Sequence, residues 1–533
     1  MAQIARHIAA PKNARRSKLK SNMSKLFYRF VFWLIGVGKL YRDVVQTDRW
    51  HDINSGIRRD LTSLLARSNR ANPYFQGKFT AFLASSAQMS DADFFQAYAR
   101  LPALSKQDYA EARQSIMAGS LAETDPKKLE LQLDGRPMDS LRRLRKGNFL
   151  MPMATGGSSA LPLVVWMTKH HMFSMLFTFF KCWYRMGWRP GERMLVFYPR
   201  NTYNIDDMVK FNRFSWLTGF RYHLFDHINE ATVRGLVEEL NQFRPKLLLV
   251  FPSPMNMVAH TIGKFRLSLA HQPELINVSG ETFFDCQRRN IESVFTRSKV
   301  EDSYGSVELG EIAHEAPGGG LEVFANVAYV ETELNDAGQP EMIVTRFHLA
   351  DFPFIRYKMR DIAFVEQRRE SDGKERNVIT KIEGKDSNFI LSDRGQRFYP
   401  SFFNSFVNHL NQLCDDSIVE IKVFERDQRE LEIQFIVCDS RQESAIEQAT
   451  CRMLREQMSD QMKFEVRFVD FIDHDYRRKY RVIERIGDVE FAGGMVGDET
   501  KSATVRQVES EANAKSCLTA EGSGPAESVR VGN

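Results

Sequence analysis

Paired cysteines are absent from this sequence. The 533 residues include six cysteines, and no two of them stand in a CxxC pair. This spacing argues against a disulfide framework or a cysteine-rich zinc site, and it suits a reducing compartment. A transmembrane run is also lacking, because the apolar stretch 30–38 is too short to span a bilayer. No small-residue cleavage site follows that stretch, so we expect a cytoplasmic protein.

Acidic residues are missing from the first 42 positions, which carry ten lysines and arginines. Removing these ten from the 73 basic residues of the chain leaves 63 against 68 acidic residues, a net charge of −5 for the remainder. The body is therefore not expected to bind nucleic acid. We predict a solvated basic arm at 1–42 whose short apolar helix packs on the body. A peripheral contact between this arm and a membrane is the alternative.

Hydrophobic spacing predicts the class of fold. The segment 52–67 has apolar residues at helical intervals, whereas short apolar runs at 194–198 and 247–251 read as strands, and the segments 276–278 and 299–301 continue this series. A helix with one apolar face is expected at 231–243, between the first two of these strands. Strands that alternate with helices indicate an α/β fold with a largely parallel sheet.

The chain is too long for a single core, so two domains are expected. Shorter strands at 419–424, 431–437 and 464–469 predict a second, smaller module. The last residues contain few aromatic side chains and are not expected to order themselves. The predicted divisions are the basic arm 1–42, a large N-terminal domain with mainly parallel sheets and helices at 43–385, a small C-terminal α+β domain at 386–490, and a disordered tail at 491–533.

A segment rich in glycine and hydroxyl groups, from Thr155 to Pro162, is the sharpest local motif. Glycines let the backbone approach a polyphosphate, and N–H and hydroxyl groups can donate hydrogen bonds to its oxygens. The absence of a closing lysine excludes a Walker A site, and an ordinary Ser/Gly turn is the alternative. The predicted phosphate-binding residues are Thr155, Gly156, Gly157, Ser158 and Ser159.

Two later motifs end in an acidic residue. The segment 304–308 reads Tyr-Gly-Ser-Val-Glu, in which Tyr304 could stack on a purine and Glu308 could hold Mg²⁺ on phosphate oxygens. The segment 352–361 ends in Asp361, whose carboxylate could accept hydrogen bonds from ribose hydroxyls. Taken singly, each motif is better read as a turn with a carboxylate. The segments 382–390 and 477–481 by themselves indicate only a loop and a solvated basic face.

Together, in this order and spacing, the five segments resemble the adenylate-forming superfamily of acyl-CoA synthetases, luciferases and nonribosomal-peptide adenylation domains. The most similar branch is that of the phenylacetate–CoA ligase-like proteins, which includes capsule-biosynthesis relatives. The family's Tyr-Gly-x-Thr-Glu element is similar to 304–308, and its Ile-Arg-Tyr-x-Thr-Gly-Asp element to 355–361. Its hinge element resembles Gly384-Lys385, its C-terminal lysine corresponds to Lys479, and its adenine-contacting segment falls at 278–281.

The sequence departs from the family pattern at several of these positions. Lys385 stands for the hinge arginine, and arginine and lysine are not interchangeable where a planar fork is needed. The carboxylates and Lys479 remain, which predicts a divergent but active member; a non-catalytic nucleotide-binding relative is the alternative. The other replacements are Ala160 for a loop glycine, Val307 for a threonine, Met359 and Arg360 for Thr-Gly, and Arg478 for a glycine.

The resemblance implies a reaction in two steps. ATP would convert an aromatic or fatty carboxylic acid into its acyl-adenylate with release of pyrophosphate. The acyl group would then pass to a thiol, either coenzyme A or the phosphopantetheine arm of an acyl carrier protein. Transfer to an amine or a hydroxyl, as in capsule or natural-product biosynthesis, is the alternative second step.

The same resemblance assigns roles to residues. Lys479, delivered by a mobile small domain that rotates about the segment near Lys385, would bridge the carboxylate and the α-phosphate. Glu308 would act beside it as the Mg²⁺ ligand. The other ATP-binding candidates are Gly280, Glu281, Tyr304, Gly305, Asp361 and Lys385. The acyl pocket is expected between 201–260 and 279–310, with the candidates Phe211, Phe214, Trp216, Phe251, Phe283 and Phe284.

Overall fold

The computed structural model describes most of the two predicted domains. The described residues are 28, 30–46, 53–122, 145–147, 149–154, 163–200, 209, 212–213, 215–369, 373–472 and 480–485. The arm before Tyr28 and the predicted tail at 491–533 lie outside them.

Helices make up the described chain as far as residue 122. Residues 30–34 form a first helical segment, which we call the N-terminal helix. The α-helices after it, among the described residues, are α1 Gly38–Tyr41, α2 Ile53–Ala71, α3 Thr80–Ser86, α4 Asp91–Ala99, α5 Lys106–Glu111, α6 Arg113–Ile116, α7 Gly119–Ala122, α8 Lys169–Met186, α9 Ser215–Thr218, α10 Glu230–Phe243, α11 Pro252–Lys264, α12 Asp285–Val294, α13 Pro400–Leu413 and α14 Glu443–Gln457.

The helix α8 illustrates how the sequence fixes these bounds. Thr168 caps its N-terminus, where the side chain accepts a hydrogen bond from the His171 N–H at 3.2 Å. Gly187 ends it in the left-handed conformation, with a φ of 106°, which glycine adopts without steric cost. Between these ends, Phe177 and Phe180 are buried in the main hydrophobic core. Both the packing of these side chains and the two caps therefore stabilise α8.

The strands form one large sheet and three small ones. The large sheet has eleven strands in the order β10-β11-β12-β13-β9-β8-β7-β6-β5-β3-β4. The bounds are β1 Met151–Ala154, β2 Val164–Met167, β3 Met194–Pro199, β4 Phe220–Phe225, β5 Leu247–Val250, β6 Leu275–Ser279, β7 Lys299–Ser306, β8 Gly310–Glu315, β9 Leu321–Val323, β10 Ala328–Leu334, β11 Pro340–Arg346, β12 Tyr357–Arg369, β13 Glu375–Lys385, β14 Ile390–Leu391, β15 Arg397–Phe398, β16 Ile418–Asp427, β17 Glu430–Val437, β18 Lys463–Phe468 and β19 Ile483–Arg485.

One half of the large sheet is parallel and the other half is antiparallel. The strands β4, β3, β5, β6 and β7 are parallel, and the strands predicted at 194–198, 247–251 and 276–278 are β3, β5 and β6. The strands from β8 to β13 pair antiparallel. Parallel neighbours need crossover connections, and α10, α11 and α12 supply them between β4 and β7. The predicted α/β class is confirmed, with a mixed main sheet.

The small C-terminal domain has a four-stranded sheet in the order β18-β17-β16-β19. The pair β16–β17 is antiparallel, and the outer strands β18 and β19 are parallel to their neighbours. The strands predicted at 419–424, 431–437 and 464–469 correspond to β16, β17 and β18. The predicted division between the domains at 385–386 falls where β13 ends.

Hydrophobic contacts join the two domains. Val419, Ile436 and Ile472 of the small domain belong to a core cluster that includes the buried faces of α10 and α11. In the opposite direction, Phe284 and Cys286 of the large domain belong to the core of the small domain. The small domain is therefore docked on the crossover helices.

The N-terminal helix is fixed to the large domain. Phe32 and Val44 are buried in the main core, so part of the predicted arm at 1–42 packs on the body. Within the described residues, no helix combines the length and apolar character that crossing a membrane would require.

Candidate active site

Five of the predicted site residues lie at the carboxyl ends of parallel strands. Gly280 and Glu281 directly follow β6, Tyr304 and Gly305 lie near the end of β7, and Glu308 lies in the turn between β7 and β8. The carboxyl ends of parallel strands are where α/β sheets bind their ligands. The topology therefore brings residues from two separate motifs, 278–281 and 304–308, to one edge.

Asp361 joins two of the predicted residues by hydrogen bonds. The Tyr304 hydroxyl donates to Asp361 Oδ2 at 2.6 Å, and Lys385 Nζ lies 2.8 Å from the same oxygen. Asp361 and Lys385 are directly opposite each other in the register of β12 and β13, which explains the ion pair. Burial, and after it the negative charge of Asp361, holds the pKa of Tyr304 well above its usual value. Asp361 Oδ1 accepts no hydrogen bond from any described residue.

Glu308 is held by a residue that the sequence motifs had not singled out. The Tyr357 hydroxyl donates to Glu308 Oε1 at 3.0 Å, and burial raises the pKa of that tyrosine, with a further contribution from Glu308. Lys106, at the start of α5, is also near. Burial lowers the pKa of Lys106, and the charge of Glu308 opposes that shift. We call the five residues on β7, β12, β13 and the turn after β7 the strand cluster: Tyr304, Glu308, Tyr357, Asp361 and Lys385.

Two glycines in this region have no room for a side chain. Gly280 has a φ of +87°, and a Cβ there would lie 3.0 Å from the Phe251 ring, which in turn stacks on Tyr198 with a centroid distance of 4.4 Å. A Cβ on Gly305 would lie 2.4 Å from the Gly310 carbonyl oxygen. Gly280 therefore leaves a flat aromatic surface beside the end of β6, and Gly305 lets β7 and β8 approach each other.

Glu281 connects the two domains. Its Oε2 accepts a hydrogen bond from the Ser253 N–H (3.0 Å) at the N-terminus of α11, where a carboxylate is favoured by the helix dipole. Its Oε1 accepts from the Tyr480 N–H at 3.3 Å. A carboxylate that directly follows β6 therefore binds the backbone of Tyr480, the residue after Lys479 in the sequence.

A second buried carboxylate stands beside this contact. Glu420 on β16 accepts hydrogen bonds from Asn256 Nδ2 at 2.8 Å and Gln287 Nε2 at 2.9 Å, both on the large domain. The Tyr480 hydroxyl lies 3.4 Å from its other oxygen. Burial raises the pKa of Glu420 from 4.5 to about 7, against the lowering effect of these donors. We call these residues the interdomain cluster: Asn256, Glu281, Gln287, Glu420 and Tyr480.

Lys479 and the phosphate-loop residues lie outside the described residues. This applies to Thr155, Gly156, Gly157, Ser158 and Ser159, whose roles stay predictions. The strands on either side of them are described, and Ala154 of β1 pairs with Val164 of β2.

One departure from the family pattern has a visible backbone consequence. Arg360, which stands where the family has glycine, adopts a left-handed φ of 61°. Its guanidinium lies 2.9 Å from Asp386 across the end of β13. A side chain in this conformation costs about 1 kcal/mol relative to glycine, and the ion pair offsets part of that cost.

The acyl-pocket candidates do not share one environment. Phe251 is buried beside Gly280, and Arg288 lies over the Phe283 ring at 4.7 Å. Phe284 is core of the small domain, and Trp216 is exposed, so neither supports the predicted lining. Phe211 and Phe214 lie outside the described residues.

Comparisons with known proteins identify the fold. The fold is that of the adenylate-forming CoA ligases, as the resemblance in the sequence predicted. Two structures of 2-hydroxyisobutyryl-CoA ligase in the postadenylation state superpose on 88% of this chain and 94% of their own. The complex with 2-HIB-AMP gives a TM-score of 0.57 at 15% identity, and the complex with R3-HIB-AMP gives 0.56 at 14%.

A more specific similarity is found in sequence. The chain is 25% identical to the protein CapK of Staphylococcus aureus over 252 residues, which are 46% of this chain. The match spans 56% of CapK, about half the length of that relative. No protein-family model matches the chain.

Proposed function

We propose that this chain is an ATP-dependent ligase that activates a carboxylic acid as its acyl-adenylate and transfers the acyl group to a thiol. The strand cluster carries the proposal, because it gathers residues from three predicted nucleotide-binding motifs at one sheet edge. The fold supports it, since the matched ligase structures contain acyl-adenylates.

In the first step, a carboxylate oxygen attacks the α-phosphorus of ATP, and the bond to the β-phosphate breaks to release pyrophosphate. Asp361 Oδ1 would accept hydrogen bonds from the ribose hydroxyls, while Tyr304 and Lys385 fix the carboxylate through Oδ2. The reaction brings two anions together, so positive groups are needed at the attacked phosphorus. We propose that Lys479 supplies this charge.

Glu308 is suited to hold a magnesium ion bound to the nucleotide. Tyr357 fixes its Oε1, and no described residue donates to Oε2. No group of three or more His, Cys, Asp or Glu side chains within the described ranges could hold a metal ion by itself. A single carboxylate completed by phosphate oxygens and water is a usual arrangement for Mg²⁺. When bound, the ion would neutralise phosphate charge.

The docked small domain suits this first step. Glu281 holds the backbone of Tyr480 at the end of β6, next to the nucleotide-binding edge. For the second step, the thiol attacks the acyl carbonyl carbon, the carbon–oxygen bond to AMP breaks, and AMP leaves. We propose that release of the interdomain cluster opens the path for the thiol, since domain rotation is an established gating device.

The first experiment measures pyrophosphate release with Mg-ATP and hydroxylamine across a panel of aromatic and fatty acids. Hydroxylamine traps an acyl-adenylate without the natural acceptor. We expect release that depends on one class of acid and falls about a hundredfold or more in Lys479→Ala, as when a charge that stabilises the transition state is removed. Lys463→Ala is the matched control, because this exposed lysine lies on β18 and pairs with Glu430.

Acceptors are then compared with the acid identified. Product formed with coenzyme A or a phosphopantetheine thiol supports a thiol ligase, whereas product formed only with an amine or a hydroxyl would replace the second step. Nucleotide binding without pyrophosphate release for any acid would contradict catalysis and favour a non-catalytic relative.

A further inference from the structure

Three large aromatic side chains, two on the N-terminal helix and one on α9, face solvent. Trp216 is 78% exposed, Trp33 is 72% exposed and Phe30 is 57% exposed. These are the three most exposed Phe and Trp side chains among the described residues. Side chains of this size are normally covered, so their concentration in one part of the molecule calls for a partner.

The N-terminal helix holds two of them in place. Phe30 and Trp33 are three residues apart on one face of the helix, with their ring centroids 6.0 Å apart. Phe32 points the other way and packs edge-on against Phe177 of α8, with a centroid distance of 5.1 Å. Ile35 is also buried on that side. The helix is therefore fixed to the body by one face and presents the aromatic pair with the other.

The third aromatic residue belongs to a neighbouring element. Trp216 lies on the short helix α9, which ends at Thr218. The hydroxyl of Tyr28, the first described residue, donates to the Thr218 carbonyl at 2.6 Å. The Tyr28 ring also contacts Phe220, with centroids 6.4 Å apart. These contacts tie α9 to the N-terminal segment and place Trp216 beside it.

The charge around this surface is complementary to an anionic partner. The first 42 residues carry ten lysines and arginines and no acidic residue, whereas the rest of the chain has a net charge of −5. A negatively charged surface would therefore attract the N-terminal segment and repel the body. Basic residues near an anionic membrane contribute about 1 kcal/mol each, and exposed Trp side chains favour the membrane interface.

We infer that Phe30, Trp33 and Trp216 form a docking surface for an anionic lipid bilayer, to which the ten basic residues among the first 42 add electrostatic attraction. The contact is peripheral, with the aromatic side chains entering the headgroup region. Stable attachment needs two signals of this kind, and the chain provides both. The inference is independent of the proposed catalytic activity.

The test is cosedimentation of the full chain with vesicles of phosphatidylcholine alone and of phosphatidylcholine mixed with phosphatidylglycerol. We expect binding to the mixed vesicles only, and a decrease of about tenfold or more in Phe30→Ser/Trp33→Ser and in Trp216→Ser. Replacing Arg15, Arg16, Lys18 and Lys20 by Gln should weaken binding about tenfold or more and reduce its salt dependence. Leu334→Ser is the matched control, because this residue is 70% exposed at the end of an edge strand.

The inference would be overturned if the wild-type chain failed to bind the mixed vesicles. It would also be overturned if Leu334→Ser lost as much vesicle binding as the aromatic variants. Sedimentation equilibrium without lipid tests a second copy as the occupant. A dimer that the aromatic variants abolish would assign the surface to self-association instead, whereas an unchanged oligomeric state supports the bilayer. Because the replaced side chains are exposed, unchanged melting temperatures are expected.

Discussion

The strand cluster and the interdomain cluster both adjoin the carboxyl ends of the parallel strands, but different parts of the chain hold them together. In the strand cluster, Tyr304, Asp361 and Lys385 lie on β7, β12 and β13 of one sheet. In the interdomain cluster, Glu281 of the large domain contacts Tyr480 of the small domain. Strand pairing keeps the first cluster assembled in any orientation of the small domain. The second exists only while the small domain is docked.

This difference assigns the clusters to different parts of the proposed reaction. Nucleotide must stay bound through both steps, so the strand cluster should matter in both. Docking of the segment that contains Lys479 is needed only for adenylation, so the interdomain cluster should matter in the first step alone. Variants of the two clusters are therefore measured in pyrophosphate release and in transfer to thiol from a supplied acyl-adenylate.

Asp361→Asn should have the largest effect and reduce both steps. The substitution removes the charged carboxylate that would accept hydrogen bonds from the ribose hydroxyls, each worth about 1.5–3 kcal/mol, and leaves the half-exposed Lys385 without its ionised partner. We expect each rate to fall about a hundredfold. Glu366→Gln is the control on the same strand, since its pair with Arg368 is exposed and such pairs contribute about 0–1 kcal/mol. A loss confined to one step would contradict the comparison.

Glu420→Gln should weaken docking and reduce the first step only. The amide oxygen of Gln can accept from Asn256 and Gln287, but its nitrogen, unlike a protonated carboxyl oxygen, cannot accept from the Ile421 N–H, and this leaves a buried donor unsatisfied at a cost of about 1–3 kcal/mol. We expect pyrophosphate release to fall about tenfold. Transfer from a supplied acyl-adenylate should not decrease, and a parallel decrease would show that Glu420 serves the stability of a domain.

The same residue predicts that docking depends on pH. When the small domain is undocked, Glu420 should release its proton near its ordinary pKa of 4.5, whereas burial raises the pKa to about 7 in the docked state. The docked state therefore binds the extra proton, and docking should weaken as the pH rises from 4.5 to about 7. Glu281 and Lys422 are the charged neighbours in this interface. Small-angle X-ray scattering across this range should show the change in the wild type and not in Glu420→Gln.

Glu281→Gln should have a smaller effect in the same direction. A neutral amide keeps an acceptor for one N–H but loses the charge at the N-terminus of α11, which is worth about 0.3–1 kcal/mol. We expect pyrophosphate release to fall about fivefold, with thiol transfer unchanged. Glu230→Gln is the control, because Glu230 lies in the first turn of α10 and pairs with Arg234. Equal effects of the two substitutions would indicate helix stability alone.

Local patterns in the sequence predicted most of the parallel half of the sheet. The strand at 247–251 is a continuous apolar run because both of its faces are buried, and β5 occupies this position. The strand at 276–278 is β6, which is also buried on both faces although Asn277 interrupts its apolar sequence. The antiparallel half was not predicted strand by strand. Eight of the thirteen residues of β12 are exposed or partly exposed, so its sequence lacks a continuous apolar signal. The motif 352–361 predicted that Asp361 binds the ribose, but it did not predict that Asp361 lies in a long hairpin.

The sequence predicted residues of the candidate site within each motif, but not the contacts between motifs. Tyr357 lies in the motif 352–361, four positions before Asp361, but its partner Glu308 is 49 residues away. The contact between Tyr480 and Glu281 spans 199 residues, and the contact between Asn256 and Glu420 spans 164. No local pattern encodes such pairings. Glu420 did leave a signal, because it is a carboxylate inside the apolar strand β16.

The smallest effect is expected at Arg360, next to the strand cluster. Arg360→Gly should relieve a left-handed φ of 61°, worth about 1 kcal/mol, and lose an exposed pair with Asp386 of at most about 1 kcal/mol. Arg360→Ala loses the same pair and keeps the strain. Thermal melting should therefore place Gly close to wild type and Ala about 1 kcal/mol below Gly. Equal stability of the two variants would mean that the backbone relaxes once the ion pair is gone, so that Asp386, rather than the strand pairing, would set the conformation preceding Asp361.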